Sequence, residues 1–271
     1  MSMRIFATSD LHSDFKENWA VLEQLSSTDY QRDVLIVAGD IAHQMGRIRD
    51  TLALLRSKFS RVFYLPGNHE LWVRGEAEDS IDKLDLILGL CAQLDVQTSP
   101  HRLGSLWIVP LFSWYDESLN PDSPGEAIPD EDDYLEAWGD FRFCRWPARI
   151  GSVMDYMLRL NKGRIRVYDG PVVSFSHFLP RSDLLPEKSK LIFKGLPRVA
   201  GSTAIDRLIR TLRPEVHVFG HSHINCDRVI DGIRYIQHAM LYPREREALS
   251  ARGYSFWQAG GPLLQVASTD E

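Results

Sequence analysis

The sequence has little cysteine, no excess of positive charge and no long apolar run. Its 271 residues include three cysteines, Cys91, Cys144 and Cys226, which lie far apart. This odd number fits neither a disulfide framework nor a cysteine-type zinc site, and it is typical of a reducing compartment. The cysteine content therefore predicts a cytoplasmic protein.

Two further absences narrow the class of protein. No apolar run approaches the roughly 20 residues of a membrane-spanning helix, and residues 1–4 lack the layout of a signal peptide. The formal net charge of -6 argues against a nucleic-acid partner, which usually meets a basic face. We interpret residues 1–271 as a single soluble domain, because a hydrophobic content of 44% is ordinary for such proteins.

Apolar runs that end abruptly at polar side chains recur five times along the chain. Such runs are typical of β-strands that end in turns. Apolar residues at helical spacing separate several of them, as at Trp19, Leu22 and Leu25, so the sequence predicts an α/β fold. The turn Asp231-Gly232 predicts a hairpin near the end. The polar residues at the run ends are Asp10 and His12, Asp40, Asn68 and His69, His177, and His221 and His223.

These strand-end residues form a donor set for metal ions, because ligands of α/β sheets gather beyond the carboxyl ends of strands. Without His69, the seven residues offer oxygen and imidazole nitrogen, which suits divalent Mn, Fe or Zn better than Mg or Ca. Seven ligands are too many for one tetrahedral site but suit two ions that share a carboxylate, ~3.5–4 Å apart. Within residues 10–12 and 221–223, a period of two would place both side chains on one side of an extended backbone. Two divalent ions carry more positive charge than the carboxylates of Asp10 and Asp40 offset, and this surplus predicts a small phosphorylated substrate.

The order of these motifs resembles that of the calcineurin-like metallophosphoesterases. The motifs are Asp10-x-His12, Gly39-Asp40, Gly67-Asn68-His69-Glu70, His177 and Gly220-His221-x-His223. The resemblance implies a four-layer αββα sandwich of two mixed sheets flanked by helices, with a dinuclear site at the strand ends. It also implies the ligands: Asp10, His12 and His223 for one ion, Asn68, His177 and His221 for the other, and Asp40 as the bridge.

The resemblance gives His69 a role apart from the metals. It implies that His69 faces the substrate, stabilises the charged phosphoryl group and protonates the leaving oxygen. This agrees with the chemistry, since a metal-bridging water can attack as hydroxide and the leaving alkoxide then needs a proton. The prediction is a metal-dependent phosphomonoesterase or phosphodiesterase, with Mn as the preferred ion.

One branch of the family, the protein Ser/Thr phosphatases, fits less well. There Gly-Asp is followed by a second Asp and an Arg, whereas here Gly39-Asp40 is followed by Ile41-Ala42-His43. His69 therefore lacks that branch's Asp partner. His43 is either a contact near the site or, as we favour, a local structural residue. Trp72 and Trp114 either line a substrate pocket or, as we favour, pack in the core.

Residues 113–165 interrupt the alternation of strands and helices, and we interpret them as an insertion. Asp116 to Asp140 contains ten carboxylates and no Lys or Arg, which fits either a cap over the site or a solvated acidic loop. Two other functions stay open, a non-catalytic scaffold with the same fold and a Mn-dependent nuclease. The presence of His69 argues against the first, and the acidic charge argues against the second. The sequence does not set the oligomeric state.

Overall fold

The first of two mixed sheets is built from strands at both ends of the chain. The computed structural model describes residues 2–122, 138–251 and 261–269. The strands of this sheet are β1 (Arg4–Thr8), β2 (Val34–Val37), β3 (Arg61–Tyr64) and β10 (Leu264–Ser268). Their order is β10-β1-β2-β3, with β1, β2 and β3 parallel and β10 antiparallel to β1. Every residue of β2 is buried, which explains its continuous apolar sequence.

The second sheet has six strands in the order β4-β5-β6-β7-β9-β8. They are β4 (His101–Leu103), β5 (Leu106–Pro110), β6 (Val172–Phe175), β7 (Val216–Phe219), β8 (Cys226–Ile230) and β9 (Ile233–Gln237). The four inner strands are parallel, and β4 and β8 pair antiparallel at the edges. The predicted hairpin joins β8 to β9 through Asp231 and Gly232, both with positive φ.

Eight helices are present in the described ranges, together with short 3-10 turns such as His69–Leu71. They are α1 (Lys16–Gln24), α2 (Met45–Lys58), α3 (Ser80–Gln93), α4 (Gly139–Phe143), α5 (Val153–Leu160), α6 (Leu196–Val199), α7 (Thr203–Leu212) and α8 (Pro243–Ala251). Helix α3 begins where the Asp79 side chain accepts the N–H groups of Ile81 and Asp82.

A continuous apolar core joins the two sheets and the helices that flank them. It contains Ile36 and Phe63 from the first sheet and Ile108 and Phe175 from the second, all fully buried. The arrangement confirms the predicted αββα sandwich.

The insertion departs from its predicted local structure. The sequence from Phe141 to Asn161 looks helical and aromatic and predicts one helix. The structure instead has α4, a 3-10 turn at Ala148–Ile150 and α5, interrupted at Pro147 and Gly151. The alternating tail of the sequence also predicts a strand at residues 254–257. These residues and the acidic segment 123–137 lie outside the described residues. The single-domain interpretation with an insertion at 113–165 stays a prediction. In the described part of the chain, every helix is too short or too polar to cross a membrane.

Candidate dinuclear metal centre

Both sheets deliver polar side chains to one end of the molecule. Asp10, Asp40 and Asn68 follow β1, β2 and β3, while His177 and His221 follow β6 and β7. Because these strands run parallel within each sheet, their carboxyl ends meet at the same edge. The polar residues that follow the apolar runs of the sequence therefore lie at the carboxyl ends of the parallel strands.

Six of the predicted ligands form two compact clusters. In each cluster the donor atoms all lie within 4.8 Å of one another. Asn68 adjoins the second cluster, with its Oδ1 3.0 Å from His177 Nε2 and 3.0 Å from His221 Nδ1. The first cluster is Asp10, His12 and His223, and the second is Asp40, His177 and His221. The structure therefore places all seven predicted ligands in two groups, with Asp40 in the second, and their role as metal ligands stays a prediction.

The backbone at the ligands is turned rather than extended. The φ angles are 51° at Asp10, 40° at His12, 56° at Asp40, 75° at His221 and 57° at His223, all in the left-handed region. The prediction of an extended backbone with a period of two was therefore wrong, and His221 and His223 belong to different clusters. Left-handed backbone in residues other than glycine is uncommon and gathers at functional sites. The turn at His12 is held by its N–H, which donates to the carbonyl of Asp40 at 3.0 Å.

Two glycines leave room for the second cluster. A Cβ on Gly67 would lie 2.2 Å from Asp40 Oδ1 and 2.6 Å from His177 Nε2. A Cβ on Gly39, where φ is +83°, would lie 2.4 Å from His177 Nδ1. These glycines are required because the donor atoms occupy the volume of a side chain.

Hydrogen bonds behind the rings orient two histidines of the second cluster. His177 Nδ1 lies 2.8 Å from the carbonyl oxygen of Ala38, and His221 Nε2 lies 2.9 Å from that of Val199. A carbonyl accepts, so each of these ring nitrogens donates, and the opposite nitrogen of a neutral ring keeps its lone pair. Such outer contacts are typical of metal-ligating histidines.

The first cluster has a carboxylate behind one of its rings. Glu245 Oε2 lies 2.7 Å from His223 Nδ1, and His223 Nε2 faces His12 Nε2 at 3.0 Å. A carboxylate–histidine pair of this kind fixes the ring and raises its basicity toward an ion. Sequence reasoning missed Glu245, because it lies on α8, far from any strand end.

The buried carboxylates of Asp10 and Asp40 are stabilised by positive charge on the groups beside them. Burial alone would raise the pKa of Asp10, but His223 lowers it to about 2, and His177 and His69 bring the pKa of Asp40 well below its usual range against burial. Burial opposes protonation of His177 and His223, yet Asp40 raises the pKa of His177 to about 9, and Asp10 with Glu245 raises that of His223 to about 10.

Protons on these histidines supply the charge that the buried carboxylates need, and divalent ions would supply it to neutral rings instead. Burial lowers the pKa of His12 and of His221 to about 3 each, so both are neutral donors at ordinary pH. The donor set and its charge therefore fit a pair of divalent cations.

His69 lies beside the clusters rather than within them. Its Nε2 is 3.9 Å from Asp40 Oδ2 and 3.2 Å from the hydroxyl of Tyr242, and its ring stacks on Trp72 with centroids 4.0 Å apart. Trp72 thus contacts the site, so the core packing that the sequence favoured was wrong for it, whereas Trp114 is buried against Trp146. Sequence reasoning missed Tyr242.

His43 has the local role that the sequence favoured. Its Nδ1 lies 3.3 Å from Asp14 Oδ2, and its Nε2 lies 3.3 Å from Arg74 Nη1. Glu70, in contrast, holds the turns that carry the ligands, since its carboxylate accepts the N–H groups of Asp40, Ile41 and Gly67. Burial raises the pKa of Glu70 to about 8, while the three donors favour the ionised form.

A cavity of about 780 Å³ opens from the clusters to the surface. Asp40, Asn68, His69 and His221 lie at its inner end. Its outer walls are mostly apolar and include Trp138, Leu191, Phe193, Leu196, Ile224 and Leu249. A cavity of this size holds a ligand as large as a typical cofactor. The site can therefore accept a polar group at the clusters together with a long, partly apolar arm.

The comparisons with known proteins agree with this geometry. A family model for calcineurin-like phosphoesterases matches residues 3–225. The [acyl-carrier-protein] phosphodiesterase PptH of Mycobacterium tuberculosis is 31% identical over 274 residues, which cover 89% of this chain and 78% of that protein. The crystal structure of phosphopantetheinyl hydrolase (PptH) from Mycobacterium tuberculosis has a TM-score of 0.76 and 26% identity, and the match covers 98% of this chain and 96% of that chain. A further solved structure, with 14% identity and a TM-score of 0.51, shares the fold over 88% of this chain and 91% of its own.

Proposed function

This chain belongs to the calcineurin-like phosphoesterase family and hydrolyses phosphoester bonds, and we propose that its substrate is a phosphodiester joining a phosphopantetheinyl group to a carrier protein. The proposal is carried by the likeness to PptH over almost the whole chain, because the names of that protein describe such a substrate. The cavity beside the clusters has room for the pantetheinyl arm. The proposed substrate is thus a protein that carries a small phosphorylated group, rather than the free small molecule that the sequence predicts.

We propose the ligands of the two ions as the resemblance implied them. Asp10, His12 and His223 would hold one ion, and Asn68, His177 and His221 would hold the other. Asp40 would serve both, in support of which its buried carboxylate lies 3.4 Å from His177 Nε2 and interacts electrostatically with Asp10 and His12 of the other group. When bound, two divalent ions lower the pKa of water and offset the charge of a phosphoryl group.

His69 would assist the leaving group. Its ring faces the cavity beside Asp40, and burial lowers its pKa, which makes the protonated ring a stronger acid toward a leaving oxygen. Stacking on Trp72 and the contact with Tyr242 limit the orientations of the ring. For a diester substrate the leaving oxygen belongs either to the protein hydroxyl or to the pantetheinyl arm, and either one needs a proton.

The apolar walls of the cavity would hold the arm. Trp138 and Phe193 stack with ring centroids 5.4 Å apart at an interplanar angle of 14°, and together they form one wall. Aromatic walls of this kind bind extended chains by burial of apolar surface. The described part of the 113–165 insertion contributes Trp138 and Asp140 to the cavity, which supports its interpretation as a cap.

The experiment that tests the substrate uses a phosphopantetheinylated acyl carrier protein and the Mn²⁺-reconstituted enzyme. Mass spectrometry of the carrier protein should show loss of the arm. A Phe193→Ser variant should raise KM for this substrate more than KM for bis(4-nitrophenyl) phosphate, because the small diester has no pantetheinyl arm to pack on this wall. An intact carrier protein, with the small diester still cleaved, would refute the substrate. Digestion of an oligonucleotide by the same sample would favour the nuclease.

The metal pair and the location are proposals of the same kind. Mn²⁺ is the preferred pair of ions, with Fe or Zn as alternatives, since oxygen and imidazole ligands accept all three. Reloading the stripped protein with each ion and measuring kcat distinguishes them. The cytoplasmic location stays a prediction that fractionation of cells would test.

A further inference from the structure

Asp140 is a buried carboxylate that is not among the proposed metal ligands. It lies on α4, in the insertion, and its exposed fraction is 3%. Its Oδ1 accepts from Asn68 Nδ2 at 2.8 Å and from Trp72 Nε1 at 2.7 Å, and its Oδ2 accepts from Trp138 Nε1 at 2.9 Å. Three N–H donors thus converge on one carboxylate, two from the turn that follows β3 and one from the segment of Asp140 itself, and they offset the cost of its burial.

The bond to Asn68 decides which atom of the amide faces the second cluster. An amide group carries an acceptor oxygen on one side and two N–H donors on the other. Because Asp140 accepts from Nδ2, the Oδ1 atom points the opposite way, to 3.0 Å from the ring nitrogens of His177 and His221. A flipped amide would present N–H groups there, and these cannot bind a cation. Asn68 is itself buried, with an exposed fraction of 2%, so water is a poor substitute partner.

We propose that Asp140 is a positioning residue, whose carboxylate fixes the amide of Asn68 so that Oδ1 faces the second ion. This inference rests on the ligand role proposed for Asn68. The same carboxylate holds the indole of Trp72, which stacks on His69, and the indole of Trp138, which forms the cavity wall. Through this side chain the insertion contacts both the second cluster and the residues around His69.

The close fit of α4 against this region supports the assignment. Gly139 precedes Asp140, and a Cβ on Gly139 would lie 2.6 Å from Cζ2 of Trp72. The absence of a side chain at Gly139 lets α4 approach until the carboxylate reaches both Asn68 and Trp72. Outer partners of metal ligands change metal affinity by roughly 10- to 100-fold when they are removed.

The first test measures bound Mn²⁺ per chain after equilibration with buffered free Mn²⁺. Asp140→Ala removes both carboxylate oxygens and should weaken one of the two ions by roughly 10- to 100-fold. The matched control Asp155→Ala removes an exposed carboxylate from the same insertion and should leave both ions bound. Trp72→Phe removes another donor to Asp140 but keeps the bond to Asn68, so it should also retain both ions. Equal affinities in Asp140→Ala and the wild type would overturn the inference.

The second test exchanges the two groups and remains decisive if the Asp140→Ala variant is unstable. Asn68→Asp places two carboxylates together and should lose the second ion. The double variant Asn68→Asp/Asp140→Asn restores an N–H donor opposite a carboxylate oxygen and should recover at least ten-fold in affinity. A double variant no better than the single one would refute the pairing. A wild-type protein that binds fewer than two ions would instead contradict the proposed function.

Discussion

Removal of the Tyr242 hydroxyl tests the role proposed for His69 as the proton donor. It lies 3.2 Å from His69 Nε2, while the ring of Tyr242 stacks on His12 with centroids 4.2 Å apart. Leu241, which precedes it, has a φ of 68°, a left-handed conformation that aims the following residue into the site. Tyr242→Phe keeps the ring and its stacking and removes one oxygen atom.

The expected effect is modest and can be estimated from the lost contact. One hydrogen bond contributes about 0.5–1.5 kcal/mol, and about 1.4 kcal/mol changes a rate tenfold. We therefore expect Tyr242→Phe to lower kcat about 2- to 12-fold with little change in KM. His69→Gln, which removes the proton donor itself, should lower kcat by roughly 10²–10⁴ and leave the metals bound.

The assay is hydrolysis of bis(4-nitrophenyl) phosphate by protein reconstituted with Mn²⁺, with metal content measured on each sample. Phe15→Leu is the control. The ring of Phe15 packs against that of Tyr242, with centroids 5.4 Å apart, and has no part in the bond to His69. An unchanged kcat in Tyr242→Phe would show that the hydroxyl does not orient His69. A loss as large as that of His69→Gln would show that the hydroxyl itself takes part in the chemistry.

Three further predictions address the framework of the site. Gly67→Ala should abolish binding of two Mn²⁺ ions in a titration, because its Cβ would lie 2.2 Å from Asp40 Oδ1; two bound ions would contradict this. Burial lowers the pKa of His217 to about 3, so the metal-free protein should lose stability as pH falls from about 6.5, where only the unfolded chain gains the proton. Urea unfolding at several pH values should show that His217→Gln reduces the change in unfolding free energy with pH by up to about 1.4 kcal/mol per pH unit. The same pH dependence in the variant and the wild type would show that His217 is not its source. Lys83→Met should cost about 1–3 kcal/mol in urea unfolding, because the buried ammonium donates to two carbonyls and pairs with Glu76 at 3.1 Å; no loss would refute that role.

The residues at strand ends could be predicted because their signal is local. Asp40 and His177 each follow a short buried run, and parallel strands bring such positions to one edge of a sheet. The backbone at the ligands could not be read in the same way. The left-handed turns at Asp10 and His12 depend on contacts with the neighbouring loop, and a period of two in the sequence does not reveal them.

The outer partners were missed because their signal is not local. Asp140 is 72 residues from Asn68, and Glu245 is 22 residues from His223. An acidic residue on a helix is an ordinary surface feature, and its contact with a ligand depends on how segments pack across the fold. The interrupted helix of the insertion was missed for a different reason, because the residues that break it are local signals that the helical spacing outweighed. Its apolar residues are spaced as in a helix, but Pro147 and Gly151 divide the segment.

The position of these outer partners separates two properties of the site. The two sheets carry the seven proposed ligands, so the distance between the clusters depends on the core that joins the sheets. Asp140, Tyr242 and Glu245 come from α4 and from the start of α8, outside both sheets, and the same segments line the cavity. A change in these segments therefore alters the substrate wall and the orientation of His69, Asn68 or His223 at once. Selectivity at the proposed substrate wall and the geometry of the proposed metal centre are for this reason coupled.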